Sequence, residues 1–100
     1  DIYDKIGVKG NQIIISQIGR FTYEKNHDFS VKIIEKLAKS DLNFIFIFAG
    51  DGPLKSKIQE KIINLGLTSR CKFLGNINYG KLIISYLKFH LLLLNDLNIL

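Results

Sequence analysis

The chain has 100 residues, 47% of them hydrophobic and 23% charged, with a formal net charge of +5 and a pI near 9.4. That length suits one small domain or part of a larger one, and that composition excludes a disordered or fibrous chain. One cysteine, Cys71, and two histidines, His27 and His90, exclude an intrachain disulfide and argue against a metal centre built on Cys or His.

The charge surplus, 14 Lys and Arg against 9 Asp and Glu, is scattered along the chain. It fits a solvated Lys-rich surface, or mild attraction to phosphorylated ligands, anionic lipid or nucleic acid. The opening is polar and carries no secretory signal pattern. The most apolar stretch, "LIISYLKFHLLLL" at 82–94, is too short to span a bilayer and is broken by Lys88 and His90.

Residues 1–11 read as a lead-in containing the turn "GVKGN". "QIIISQI", 12–18, is an almost continuous apolar run rich in β-branched residues, as a strand buried on both faces requires. From Asp28 to Lys39, Phe29, Ile33, Ile34, Leu37 and Ala38 form one helical stripe, with Asn26 or Asp28 as its cap. "NFIFIFAG", 43–50, is a second strand, and Pro53 suits the first turn of the helix after it. Leu54, Ile58, Ile62 and Leu65 line that helix; Gly66 ends it and Leu67 packs back over it. "CKFLG", 71–75, is a short third strand in which Cys71 is a small core residue. A third helix at 81–89 and a fourth strand at "LLLL" complete the pattern.

Strands alternating with helices predict an α/β fold, a Rossmann-like parallel sheet with helices on its faces. Ligands of such sheets sit at the carboxyl ends of the strands. Three strands end in glycine there, Gly19, Gly50 and Gly75, where backbone can approach a ligand closely or simply turn.

Several chemistries lack their motifs. There is no G-x-G-x-x-G, no G-x-S-x-G, no C-x-x-C and no H-E-x-x-H. "GNINYGKL", 75–82, spells G-x-x-x-x-G-K but places Leu82 where a P-loop needs a hydroxyl for magnesium. It reads better as a Gly-flanked turn. "GRFTYEK", 19–25, sets Arg20 and Lys25 on one loop between the first strand and its helix. A guanidinium fork, a mobile ammonium and the helix amides behind them can bracket a diphosphate; the same loop can also be an ordinary solvent-facing turn. In "AGDGPLKSKIQE" Asp51 accepts from a ligand hydroxyl or holds the turn. "RCKFLG" offers main-chain groups to the edge of a base.

Taken together and in order, "IGRFTYEKNHDF", "FIFAGDGPLKSKI" and "LGLTSRCKFLG" resemble the carboxyl-terminal, donor-binding domain of the retaining GT-B glycosyltransferases, the glycosyl transferases group 1 or GT4-like family. The likeness is strongest over 12–79 and closest in flavour to bacterial capsular and exopolysaccharide transferases. It implies a partial nucleotide-sugar-binding domain over 1–100, the first half of a GT-B donor domain. It implies that Arg20 and Lys25 hold the diphosphate of a nucleotide-sugar, expected to be UDP-linked. Gly19, Asp51 and Gly52 would then shape the loops, and Phe73, Leu74 and Gly75 would lie beside the base. No metal or cofactor is expected, because the two cations neutralise the leaving group. The parent activity would be retaining hexosyl transfer in polysaccharide or glycolipid synthesis, in the cytoplasm or peripherally at the inner membrane face.

The chain departs from the family where it reads "YLKFHLLLLNDLNIL", without the E-x7-E glutamates and the Gly-rich stretch before them. The resemblance therefore leads to a chain that lacks its acceptor domain or a complementary half and is inactive alone. A catalytically inert remnant or interaction module, and a P-loop-type nucleotide binder, are the alternatives. No nucleic-acid partner is expected.

Overall fold

A computed structural model describes residues 11–76 and the strand at 90–93. Four strands, β1 (Ile13–Ile18), β2 (Phe44–Ala49), β3 (Cys71–Phe73) and β4 (His90–Leu93), form one parallel sheet in the order β3-β2-β1-β4. Two helices, α1 (His27–Ala38) and α2 (Lys55–Asn64), make the crossovers from β1 to β2 and towards β3. Register runs straight across the sheet: Cys71, Phe46, Ile15 and Leu91 stand side by side.

The central strand β2 forms where apolar β-branched and aromatic residues leave no polar face. Phe44 to Ala49 are all buried, and their alternation separates two faces. Phe44, Phe46 and Phe48 pack with Ile15, Val31, Ile34, Ile58 and Ile62 in the core beneath α1 and α2. Ile45 and Ile47 are buried too, pointing the other way. Each fully buried Phe or Ile contributes about 1.5–3 kcal/mol through removal from water.

Helix α2 ends in a Schellman arrangement. Gly66, at φ +71°, donates its N–H to the Ile63 carbonyl, and Leu67 donates to that of Ile62 before entering the core. This is the stop expected of Gly66 and Leu67.

Three local expectations are corrected. Pro53 stands in a turn two residues ahead of α2, not in its first turn. Asn26 heads α1 through a left-handed backbone, φ 54°, with no side-chain cap. The buried face of α1 is His27, Ser30, Val31 and Ile34, while Phe29 and Ile33 are only half-buried. The face rotates because β1 presents buried Gln17, which needs the Ser30 hydroxyl above it. The lead-in over 1–10, the helix expected at 81–89 and most of the "GNINYGKL" turn lie outside the described residues.

Candidate functional site

The β1–α1 loop, the β2–α2 loop and the residues directly after β3 meet at the carboxyl edge of the sheet. The β1–α1 loop begins at Gly19, whose N–H donates to the Ala49 carbonyl at 2.9 Å. Phe21 donates its N–H to the Asp51 carbonyl and accepts from the Leu54 N–H at its own. Gly50 donates to the Gly75 carbonyl at 2.6 Å, and Leu74 to that of Phe48 at 2.9 Å. These five bonds fix the loops to one another without any ligand.

The glycines serve that contact. A Cβ on Gly50 would stand 2.1 Å from the Gly19 carbonyl oxygen, and one on Gly52 would stand 2.7 Å from Phe21 N and O. To the two readings of Gly50, ligand approach or turn, the geometry adds a third: it admits another loop of this chain. Asp51 holds the turn: its Oδ1 accepts the Gly52 N–H at 2.8 Å. Among the main-chain groups of Leu74 and Gly75, the Leu74 N–H and the Gly75 carbonyl are already engaged. Phe73 lies half-buried with its ring 4.9 Å from that of Phe48.

Arg20 is exposed at the start of the β1–α1 loop. The chain continues through extended Thr22, one 3-10 turn at Tyr23–Lys25, and left-handed Asn26. That path brings Lys25 back: its Cδ lies 4.0 Å from the position of a Cβ on Gly19, the residue before Arg20. The Lys25 carbonyl accepts from Gln17 Nε2 at 3.1 Å, and Gln17 Oε1 accepts from Ser30 Oγ. Two cationic residues thus stand on one short segment between β1 and a 12-residue helix, with the Lys25 side chain running back towards the residue before Arg20. The arrangement can meet an anion with a fork, a point charge and the positive end of a helix dipole.

Sequence reasoning missed the supports of this loop. Gln17 could have been noticed as a polar residue at the end of an otherwise apolar strand. His27 could have been noticed as the ring that opens the helix. Its imidazole is 3% exposed and stacks on Phe21 with centroids 4.1 Å apart. Among the described residues neither ring nitrogen has a hydrogen-bond partner.

Burial lowers the His27 pKa to about 4; Lys25 pushes the same way, and Asp28 opposes both. The unfolded chain therefore binds a proton on His27 at a pH where the folded chain does not. Stability contributed by the neutral ring is complete above about pH 6.5 and is lost as pH falls towards 4, by about 3 kcal/mol in all. Urea unfolding at pH 7.5 and pH 4 should show a smaller loss in His27→Phe than in the parent chain. An equal loss would place the acid sensitivity elsewhere.

Cys71 is buried, and burial pushes its thiol up to about 12, which leaves it unreactive as expected of a core residue. A hollow of about 330 Å³ lies beside the loop, lined by Thr22, Tyr23, His27, Asp28, Leu54 and Ile58. Neither Arg20 nor Lys25 lines it. Among the described residues no helix is long and apolar enough to cross a membrane, and no group of three His, Cys, Asp or Glu side chains converges on a metal position.

Sheet order and crossovers are Rossmann-like, the construction found in GT-B glycosyltransferase structures. The model of the family described as glycosyl transferases group 1 matches residues 1–97, and the chain belongs to that family. EpsF of Bacillus subtilis (strain 168) is 36% identical over 69 residues, which are 69% of this chain and 18% of EpsF. The crystal structure of the pneumococcal O-GlcNAc transferase GtfA, in complex with UDP and GlcNAc, superposes with a TM-score of 0.70 at 21% identity. It covers 80% of this chain, which spans 16% of GtfA. Anabaena HepE in complex with UDP and glucose gives a TM-score of 0.67 at 22% identity, over 85% of this chain and 23% of HepE. The chain thus spans less than a quarter of the length of each of these relatives.

Proposed function

We propose that this chain is part of the donor-binding domain of a retaining glycosyltransferase and that Arg20 and Lys25 hold the diphosphate of a nucleotide-sugar. One observation carries the reading: at the carboxyl edge of β1 the Lys25 side chain folds back to Gly19, the residue before Arg20. Family membership and the UDP held by GtfA and HepE, which share its fold, support it.

In this reading Arg20 engages the diphosphate as a bidentate fork and Lys25 follows the charge as it grows on the departing nucleotide. Such stabilisation acts most strongly where charge develops, so no metal is required. Phe73, Leu74 and Gly75 border the base, and main-chain groups of that segment read its edge. Gly19, Asp51 and Gly52 keep the loops in place. In this reading an acceptor domain forms the second wall of the cleft, and the sugar-holding glutamates belong to the complementary half of the donor domain. The whole transferase then moves a hexose from a UDP-linked donor in polysaccharide or glycolipid synthesis, in the cytoplasm or against the inner membrane face.

Calorimetric titration of the chain with UDP tests the site. The parent chain should bind, and Arg20→Ala combined with Lys25→Ala should weaken binding at least about a hundredfold, the scale of two charge-assisted contacts. Equal binding by both would remove the assignment.

A further inference from the structure

We propose that the stacked rings of Phe21 and His27 are a clasp that positions Arg20 and Lys25, closing the two ends of their loop upon each other. The inference rests on the diphosphate reading above and concerns residues that touch no ligand themselves.

The loop that carries the cations runs from Arg20 to Asn26 and is tied to the rest of the domain at three backbone points. Phe21, directly after Arg20, is fully buried, with its N–H on Asp51 and its carbonyl on Leu54. Lys25 is held from below through its carbonyl by Gln17 Nε2. Between these anchors the backbone passes through extended Thr22 and a 3-10 turn, held only by short-range bonds from Lys25 N–H to the Thr22 carbonyl and, just beyond, from Asn26 N–H to that of Tyr23. The side-chain contact that spans the loop is the ring pair of Phe21 and His27, centroids 4.1 Å apart and inclined by 18°. His27 follows Lys25 by two residues and opens α1. The pair seats on Phe48 of the central sheet, 5.7 Å from Phe21 and 5.9 Å from His27. Aromatic pairing of this kind adds to area burial and fixes orientation. A loop held in its binding shape before the anion arrives loses less entropy on binding.

A role limited to stability predicts that any equally destabilising change in α1 leaves affinity alone. The clasp predicts otherwise. UDP titrations at pH 7.5, on chains whose near-UV circular dichroism shows them folded, separate the two. His27→Ala should weaken binding roughly tenfold, the scale of one weakened charge-assisted hydrogen bond. His27→Phe, which keeps a ring to stack, should bind like the parent. Ile34→Ala, a core truncation two turns along the same helix, should lower stability and leave affinity unchanged. In a Lys25→Ala background the effect of His27→Ala should shrink, because its action passes through that cation. Parent-like binding by His27→Ala, an equal loss in Ile34→Ala, or full additivity with Lys25→Ala would each overturn the clasp while leaving the diphosphate site standing. A folded parent chain that binds no UDP would overturn both.

Discussion

Gly50→Ala is expected to lower the unfolding free energy by about 4 kcal/mol, from backbone strain and overpacking acting together. Gly50 sits at φ +134°, where an L side chain is strained whatever the space around it. Space is also lacking: the new Cβ would meet the Gly19 carbonyl oxygen at 2.1 Å and its carbon at 2.8 Å. Both contacts are backbone, so no rotamer change relieves them. The β1–α1 and β2–α2 loops must separate, which breaks the bonds from Gly19 to Ala49 and from Phe21 to Asp51. Gly66→Ala is the comparison. It also has a positive φ, +71°, yet its Cβ would enter open space, so only the left-handed backbone penalty of about 1 kcal/mol applies. Urea unfolding of both variants measures the difference. Equal losses would mean that the loops are not held as closely as the geometry requires.

Phe48→Ala is expected to cost about 3–5 kcal/mol, the usual range for truncating a buried aromatic residue. Phe48 is fully buried and its ring is surrounded by those of Phe21, His27, Phe46 and Phe73. Four rings cannot collapse into the void together, because Phe21 and Phe73 are each anchored by backbone bonds at the sheet edge. Small domains have only about 5–15 kcal/mol of stability, so the variant should unfold at far lower urea than the parent. Phe48→Leu, closer in volume, should lose less than half as much. Similar losses for the two would deny the tight packing described for this cluster.

Much of this fold was legible in the residues. "FIFIFA" has no polar face and could only be a strand covered on both sides. Gly66 and Leu67 announced the end of α2 because that stop is local chemistry, confined to six residues. The buried face of α1 was not legible. Hydrophobicity alone favours Phe29 over Ser30, but the choice is made by Gln17, thirteen residues earlier, which must find a hydroxyl in the core. Gly50 and Gly52 looked like ordinary turn glycines. Their true constraint, a neighbouring loop at contact distance, exists only once two crossovers lie side by side. The candidate site divides in the same way. Arg20 and Lys25 could be picked out by charge and spacing, whereas Gln17, Phe21 and His27 act through contacts that spacing does not encode.

The position of β1 between β2 and β4 has a temporal side. Ile15 pairs with Phe46 on one flank and with Leu91 on the other. As the chain leaves the ribosome, the first pairing becomes available 45 residues before the second, roughly 2–9 s at ordinary synthesis rates. For that interval an isoleucine-rich ridge with unsatisfied amides waits on the nascent protein for its last neighbour. It is then that a chaperone, or another nascent copy, has its best opportunity to engage this chain.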